Sequence, residues 1–303
     1  MIRPLLKIAL TASFLCLACS AFSQTGSLPG SDGTKKPDDK SDDGSSSFKF
    51  GVSYLSNNVF MGRSDTTRTP TIIPQVKYTF SNGIYLSGTL DFIPSKKKKK
   101  LDGGDIAAGY DFDITDDLSG GASFTKLFYN GNSTQISSGI SSTVSGMLTY
   151  DIGNIISPSL SADYNFNKTG VSNDVFLNAS VAHDFIVAGV FGDADIFLVS
   201  PTVAVNTGTQ NFYEAYLIKK KVKSAKKTAA QTALLNNYIA ILGKYTLLDY
   251  ELSAPLEYKT GHFIFQFTPT YAVVKKGLPK AIETRLNSQT STFYFETGIF
   301  LKF

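Results

Sequence analysis

From Phe48 to the end of the chain, apolar and polar residues alternate with a period of two, segment after segment. In the stretch Ile84 to Phe92, residues Ile84, Leu86, Leu90 and Phe92 fall on one face, and Tyr85, Ser87, Thr89 and Asp91 on the other. Ile106 to Asp113 repeats the pattern, with Ala108, Tyr110 and Phe112 opposite Gly109, Asp111 and Asp113. Leu160 to Asn167 and Phe263 to Thr268 do the same. Successive side chains of a strand point to opposite sides, so each stretch reads as a strand with one apolar and one polar face. About twelve such segments can be counted, with rough bounds 48–60, 70–80, 83–93, 104–114, 118–129, 139–151, 157–167, 174–186, 194–206, 238–256, 261–274 and 291–303. Asn211 to Ile218 is also strand-like and reads equally well as a loop ribbon.

The connections alternate in length. Ser81-Asn82-Gly83, Thr115-Asp116-Asp117, Gly153-Asn154 and Lys259-Thr260-Gly261 have the composition of tight hairpin turns. Between them lie polar loops: Met61 to Arg68, Pro94 to Gly103, Asn130 to Gln135, Lys168 to Asn173, and the longer Gly208 to Asn237 and Lys275 to Gln289. Short turns on one rim and long loops on the other characterise bacterial transmembrane barrels, in which the short turns face the periplasm. No part of the chain after residue 23 approaches the roughly 20 apolar residues of a spanning helix, whereas a tilted barrel strand needs only about 9–11 residues. The fold class expected is therefore all-β: a transmembrane antiparallel barrel of about twelve strands spanning residues 48–303. A water-soluble β-sandwich would alternate too, and the loop rhythm and the chain's last residues decide against it.

Those last residues, Phe293 to Phe303, alternate and stop on phenylalanine. They resemble the C-terminal assembly signal of outer-membrane barrels, with polar Glu296, then Gly298, Leu301 and Phe303, and so imply the barrel-assembly machinery as a partner. At the other end, Arg3 and Lys7 precede a short apolar run from Ile8 to Ala18, and Ala21-Phe22-Ser23 fits a small-x-small cleavage site. This reads as a secretory signal peptide over 1–23, with cleavage near Ser23. Cys19 offers a rival reading as a lipidated residue, weakened because Cys16 stands where a lipoprotein site has Leu. Residues 24–47 are Gly, Ser, Asp and Lys with almost nothing apolar, the composition of a disordered leader. Location in the outer membrane of a Gram-negative cell follows, with its lipid and lipopolysaccharide as surroundings. Oligomeric state stays open.

On the barrel reading the apolar face meets lipid and the polar face lines the interior. The inward set then includes Lys77, Asp91, Asp111, Asp113, Asp163, Asp184 and Glu296, alongside Gln75, Thr79, Ser87, Thr89, Asn165, Asn178, Ser180 and Gln266. Gly88, Gly109, Gly120 and Gly121 fit bends or the close passage of a bulky neighbour. With 15 Tyr, 23 Phe and no Trp, the interfacial girdles must be built from residues such as Tyr78, Tyr110, Tyr150, Tyr164 and Tyr271. Acids outnumber bases on the inward list, and one reading of that is a cation-leaning lumen. The reading preferred for about twelve strands is that these acids are hydrogen-bonded by Ser, Thr, Tyr and Lys neighbours and simply fill the space. The net charge of +4 sits in loops: Lys96, Lys97, Lys98, Lys99 and Lys100 form one run, and Lys219, Lys220 and Lys221 open another. It is not a nucleic-acid footprint; such runs stay solvated, or touch anionic surface groups. Ala225 to Leu235 has the composition of a short loop helix.

Candidate chemistry is sparse. The chain has 2 His, His183 and His262, no nucleophile-elbow motif, and no cysteine after Cys19, so neither a catalytic constellation nor a cofactor or metal site is implied. His183 beside a Ser of a neighbouring strand is the one arrangement an enzyme reading would use. Ser56-Asn57-Asn58-Val59-Phe60-Met61-Gly62-Arg63-Ser64, with Pro70, Gln75 and Tyr78 following, is similar to the first hairpin of uncharacterised, porin-like outer-membrane barrels of Gram-negative bacteria. The likeness continues through Gly83 to Gly88 and Asp105 to Tyr110, and departs in the order of Gly62 and Arg63 and in the two Lys-rich loops. It implies fold and location only. The functional expectations are a narrow porin-like channel for small polar or cationic solutes, a non-conducting barrel acting through its Lys-rich loops, and a surface lipase, in that order.

Overall fold

The computed structural model describes residues 45–64, 68–96, 100–153, 155–168, 171–192, 194–213, 237, 239–275 and 290–303. The signal segment, most of the leader, Lys97 to Lys99, Lys219 to Lys221 and Ala225 to Leu235 lie outside the described residues. The strands are β1 (Ser47–Leu55), β2 (Val59–Phe60), β3 (Arg63–Ser64), β4 (Thr71–Thr79), β5 (Ile84–Phe92), β6 (Leu101–Asp113), β7 (Leu118–Tyr129), β8 (Ile140–Tyr150) and β9 (Ser157–Asn167). They continue with β10 (Asp174–Ala182), β11 (Phe185–Ala188), β12 (Ile196–Val199), β13 (Thr202–Gly208), β14 (Thr246–Ser253), β15 (Leu256–Thr260), β16 (Phe263–Val274) and β17 (Ser291–Lys302).

All but β2 and β3 belong to one antiparallel sheet that closes on itself, because β17 pairs with both β16 and β1. Three pairs of strands are single staves interrupted at or opposite proline. The register Ala182↔Thr202 continues as Phe185↔Val199, and Ser253↔Thr270 continues as Leu256↔Phe267. Pro201, Pro255 and Pro269 lie at or beside these breaks; each lacks an N–H, yet their carbonyls still accept from His183, Ser200 and Ala254. With β10–β11, β12–β13 and β14–β15 each taken as one, the structure is a closed 12-strand barrel.

The period-two pattern resolves into outside and inside. Phe48, Phe50, Val52, Leu86, Leu90, Ile106, Leu160, Leu252 and Ile299 are exposed on the outer face, where a soluble sandwich would carry polar groups. Tyr78, Tyr110 and Tyr150 are exposed near the short-turn rim, and Tyr164 and Tyr271 towards the other, which places the Tyr girdles. Among the described residues no helix is long and apolar enough to cross a membrane. Two boundaries differ from expectation. The first strand stops at Leu55 instead of reaching Phe60, and residues 56–64 turn into the barrel. The segment expected over 238–256 starts as a strand only at Thr246, since Ile239 to Leu242 are helical, and it runs on to Thr260.

Close approach accounts for two glycines. At Gly109 an added Cβ would lie 2.4 Å from Cζ of Tyr85, whose ring covers the strand. At Gly51, on the closing seam, it would lie 2.2 Å from the carbonyl oxygen of Ile299 and 2.5 Å from Cδ1 of Phe300. Gly146 has open space. Gly51→Val is therefore expected to stop the first and last strands from pairing and to abolish the heat-shifted gel mobility of the refolded barrel. Gly146→Ala should leave that mobility unchanged; equal behaviour of the two variants would contradict the seam.

A stoppered mouth as the candidate functional site

The long-loop end of the barrel is filled by pieces of loop folded inward. Val59 pairs with Ser64 and Phe60 with Arg63, so β2 and β3 form a hairpin whose two central residues, Met61 and Gly62, have φ of 49° and 70°. Both central residues of a tight primed turn need positive φ, which glycine adopts freely and methionine adopts at a cost of about 1 kcal/mol. Met61 is held there by burial. It packs with Phe60, Leu127, Ile136, Ile140, Phe176, Phe212, Tyr213, Leu242 and Leu248 in one buried apolar cluster. Phe60, Phe176 and Phe212 meet edge to face, with ring centroids 4.9–5.8 Å apart. Leu127, Ile140, Phe176 and Leu248 come from the staves, and the other members from loops. A second buried cluster, Leu55, Val59, Ile73, Ala272 and Tyr294, seats the hairpin against the wall.

Polar tethers fix each piece. Ser56 exchanges backbone and side-chain hydrogen bonds with Phe295 (2.9 and 2.8 Å), and Asn57 Oδ1 accepts from the N–H of Thr69 at 2.9 Å. Arg63 donates to the carbonyl of Lys275 at 2.9 Å, and its guanidinium lies 6.0 Å from the Tyr213 ring. Gly62 presses on β14, where an added Cβ would stand 2.5 Å from Oδ2 of Asp249. Asp174 accepts from Thr209 Oγ1 (2.6 Å), Asn167 Nδ2 (2.6 Å) and the backbone N–H groups of Asn211 (2.7 Å) and Phe212 (2.8 Å). One carboxylate thus anchors the segment that carries Phe212 and Tyr213. On the opposite wall Gln135 donates to Asp91 (2.9 Å) and Asp102 (3.1 Å) and accepts from Asn58 (3.1 Å), while Ser133 and Lys96 also hold Asp102. Burial pushes the Tyr213 hydroxyl up to about 12 against the pull of Arg63, so it stays protonated at any physiological pH.

Below the stopper the inner face is polar. Asn178 donates to Asn206 and Asn206 to Asp249, both at 2.7 Å, across three neighbouring staves. Thr143 donates to Asn165 at 2.6 Å. Towards the short turns and the waist, inward side chains keep partial exposure: Lys49, Gln75, Lys77, Asp111, Ser123, Ser145, Lys259, Gln266 and Glu296. Among the described residues, inward side chains are thus buried near the long loops and more accessible near the short turns.

The expected inward residues fall as follows. Lys77 stands 4.0 Å from Asp111 and 4.4 Å from the Tyr85 ring. Asp91 belongs to the stopper's tethers, Asp163 is buried at mid-height, Asp184 lies at the break between β10 and β11, Asp113 is exposed at the short-turn rim, and Glu296 is on the inner face of β17. The structure does not gather them into a ring. Bases are more numerous inside than the alternation list allowed: Lys49 faces both Lys77 and Lys302 across the sheet, and Lys259 pairs with Glu257 at 3.0 Å. Lys96 folds onto buried Asp102 instead of remaining in water. Gly298, Leu301 and Phe303 lie along the closing seam, Phe303 stacking on His262 (4.7 Å) and Phe50 (6.2 Å). His183 Nδ1 contacts the Ile155 carbonyl and His262 Nδ1 that of Lys302 at 2.8 Å, with ring contacts to Phe185 and Phe303.

Sequence reasoning missed Arg63, Gln135, Asp174, Phe212 and Tyr213. The signal that would have found the stopper is apolar residues at inward positions: Leu55, Ile73, Leu127, Phe176 and Tyr294 interrupt the polar face, all near the long-loop ends of their strands.

Fold and site together define a closed transmembrane β-barrel with an internally stoppered mouth. No family model matches the chain, and no curated protein does. Among solved structures it is similar to the "KdgM porin" at 10% identity and TM-score 0.46, covering 85% of this chain and 99% of that one. It is also similar to the NanC porin (11%, 0.44, 84% and 98%) and to "LpxR from Salmonella typhimurium" (10%, 0.42, 84% and 99%).

The chain has no cysteine after residue 19, so a single introduced thiol can report on the stopper. Met61→Cys is expected to react with a maleimide slowly in the folded barrel. Adding Arg63→Ala should speed labelling at least tenfold, because the hairpin loses its bond to Lys275. Equal rates would show that Arg63 does not hold the hairpin in place.

Proposed function

We propose that this protein is a narrow porin-like channel of the outer membrane for small polar solutes, closed at its outer mouth by the folded-in loops. The observation that carries this reading is the layered interior: a polar, partly accessible inner wall lies beneath an apolar stopper made largely of loop residues. A barrel that served only as an anchor would have no use for a left-handed Met61 or for buried Asp102, Asp174 and Asp249 beneath its mouth, each of which costs free energy to bury. Elements attached by loops can be displaced while the staves stay intact. Acids and lysines interleave along the lower wall, so their fields largely cancel; this favours a weak charge preference over the cation-leaning lumen expected from alternation alone. The close packing of the apolar cluster favours one rival, a permanently closed barrel that acts through its outer loops.

Planar-bilayer recording separates the two. The chain from Gln24 is expected to show rare, brief openings. A variant with 57–64 replaced by a short Gly-Ser linker should show steady conductance with weak ion selectivity. Silence from both proteins, each with heat-shifted mobility intact, would remove the channel reading and leave the closed barrel.

A further inference from the structure

Alternation on β7 puts Ala122, Phe124, Lys126 and Phe128 on the outer, lipid-facing side, all of them exposed. The register confirms the side: Lys126 is the partner of Ile106, itself exposed to lipid on β6. Every other charged side chain within the described staves lies at an inward position or at the short-turn rim. Lys126 is therefore, among the described residues, the one charge on the apolar wall.

We propose that Lys126 is a binding site for a phosphate group of the glycolipid that forms the outer leaflet. A cation on the lipid face is tolerated according to depth: the penalty is greatest at the midplane and almost vanishes at the interface. The outer end of β7, Tyr129, is three positions beyond Lys126, which on a tilted strand places the Lys126 Cα about 8 Å below the rim. Its four-carbon stem can lie along Phe128 and lift the ammonium to headgroup level, as lysines near membrane interfaces do. On reaching that level it needs an anion. A second copy of the chain cannot supply one from its wall, because the outward positions of the described staves carry no Asp or Glu. On the outer-membrane reading, the anions at that depth are the phosphates of the outer-leaflet glycolipid.

The test uses the folded mature barrel in nanodiscs of phosphatidylcholine containing lipid A, dephosphorylated lipid A or phosphatidylglycerol, with bound lipid counted by native mass spectrometry. Heat-shifted mobility verifies the fold of each variant. Wild type is expected to retain lipid A at least tenfold better than Lys126→Met, Lys126→Arg should retain it like wild type, and dephosphorylated lipid A should bind both as weakly as the Met variant binds lipid A. Undiminished retention by Lys126→Met would overturn the site. Equal retention of phosphatidylglycerol by the wild type would overturn the assignment to the outer leaflet. The outcome is independent of conductance, so it stands apart from the channel reading.

Discussion

Everything in this molecule follows from the requirement that a backbone crossing lipid must satisfy its own hydrogen bonds. The chain meets it by pairing β17 with both β1 and β16, leaving the sheet without an edge. Closure makes one face lipid-exposed and the other internal, which is why the period-two pattern is apolar outside. It also creates a filling problem. About eight strands enclose a bore that side chains alone can fill, and wider barrels enclose cavities or channels. In a 12-strand barrel the inner wall cannot meet itself across the axis, and something else must occupy the bore or water will. Here loop residues occupy the outer part.

The stopper joins two kinds of interaction with different jobs. Its apolar cluster provides most of the affinity: each buried large side chain contributes about 1.5–3 kcal/mol relative to exposure. The cluster is non-directional and would settle in many arrangements. Direction comes from the tethers: Asp174 through four hydrogen bonds, Gln135 bridging Asp91 and Asp102, and Arg63 reaching Lys275. Leaving a buried donor or acceptor without its partner costs about 1–3 kcal/mol, and more for a charged group, comparable to losing a large buried side chain. Because the anchors are few, each one fixes a whole segment of the stopper, whereas the packed rings share the load.

Strand positions, closure and the two faces were legible in the sequence because periodicity is a local property that lipid and bore act on directly. Ile84 to Phe92 alternates in the sequence and is a stave in the structure. Phe48 to Phe60 shows where that logic ends. Its pattern continues past Leu55 without a visible stop, yet the chain turns inward there, because Ser56 is captured by Phe295, some 240 residues away. The role of Asp174 was equally hidden: three of its four partners lie in a loop 35 to 38 residues downstream and no spacing rule links them. The lysines of the lower wall were overlooked for a simpler reason. Lys49 and Lys302 sit between aromatic or aliphatic neighbours in the alternation, and their inward placement follows from the pattern once it is applied to the first and last strands.

Polarity inside the barrel is distributed along its axis as well as around it. Near the long loops, buried carboxylates serve as acceptors for N–H and O–H groups of the stopper, so their charge is spent on structure. Near the short turns, Lys49 lies between Lys77 and Lys302 on adjacent strands, a like-charge row that would destabilise the seam if left alone. Asp111 beside Lys77 offsets part of it, and further round the wall Lys259 is paired with Glu257. On the proposed channel reading, a solute entering from the short-turn side meets interleaved charge of both signs, a surface that solvates polar molecules without trapping either sign. The apolar stopper then presents the opposite character within a few residues along the same staves. On the same reading, that change from a polar wall to an apolar plug puts the barrier to passage in residues attached by loops, while the paired strands keep the wall in place.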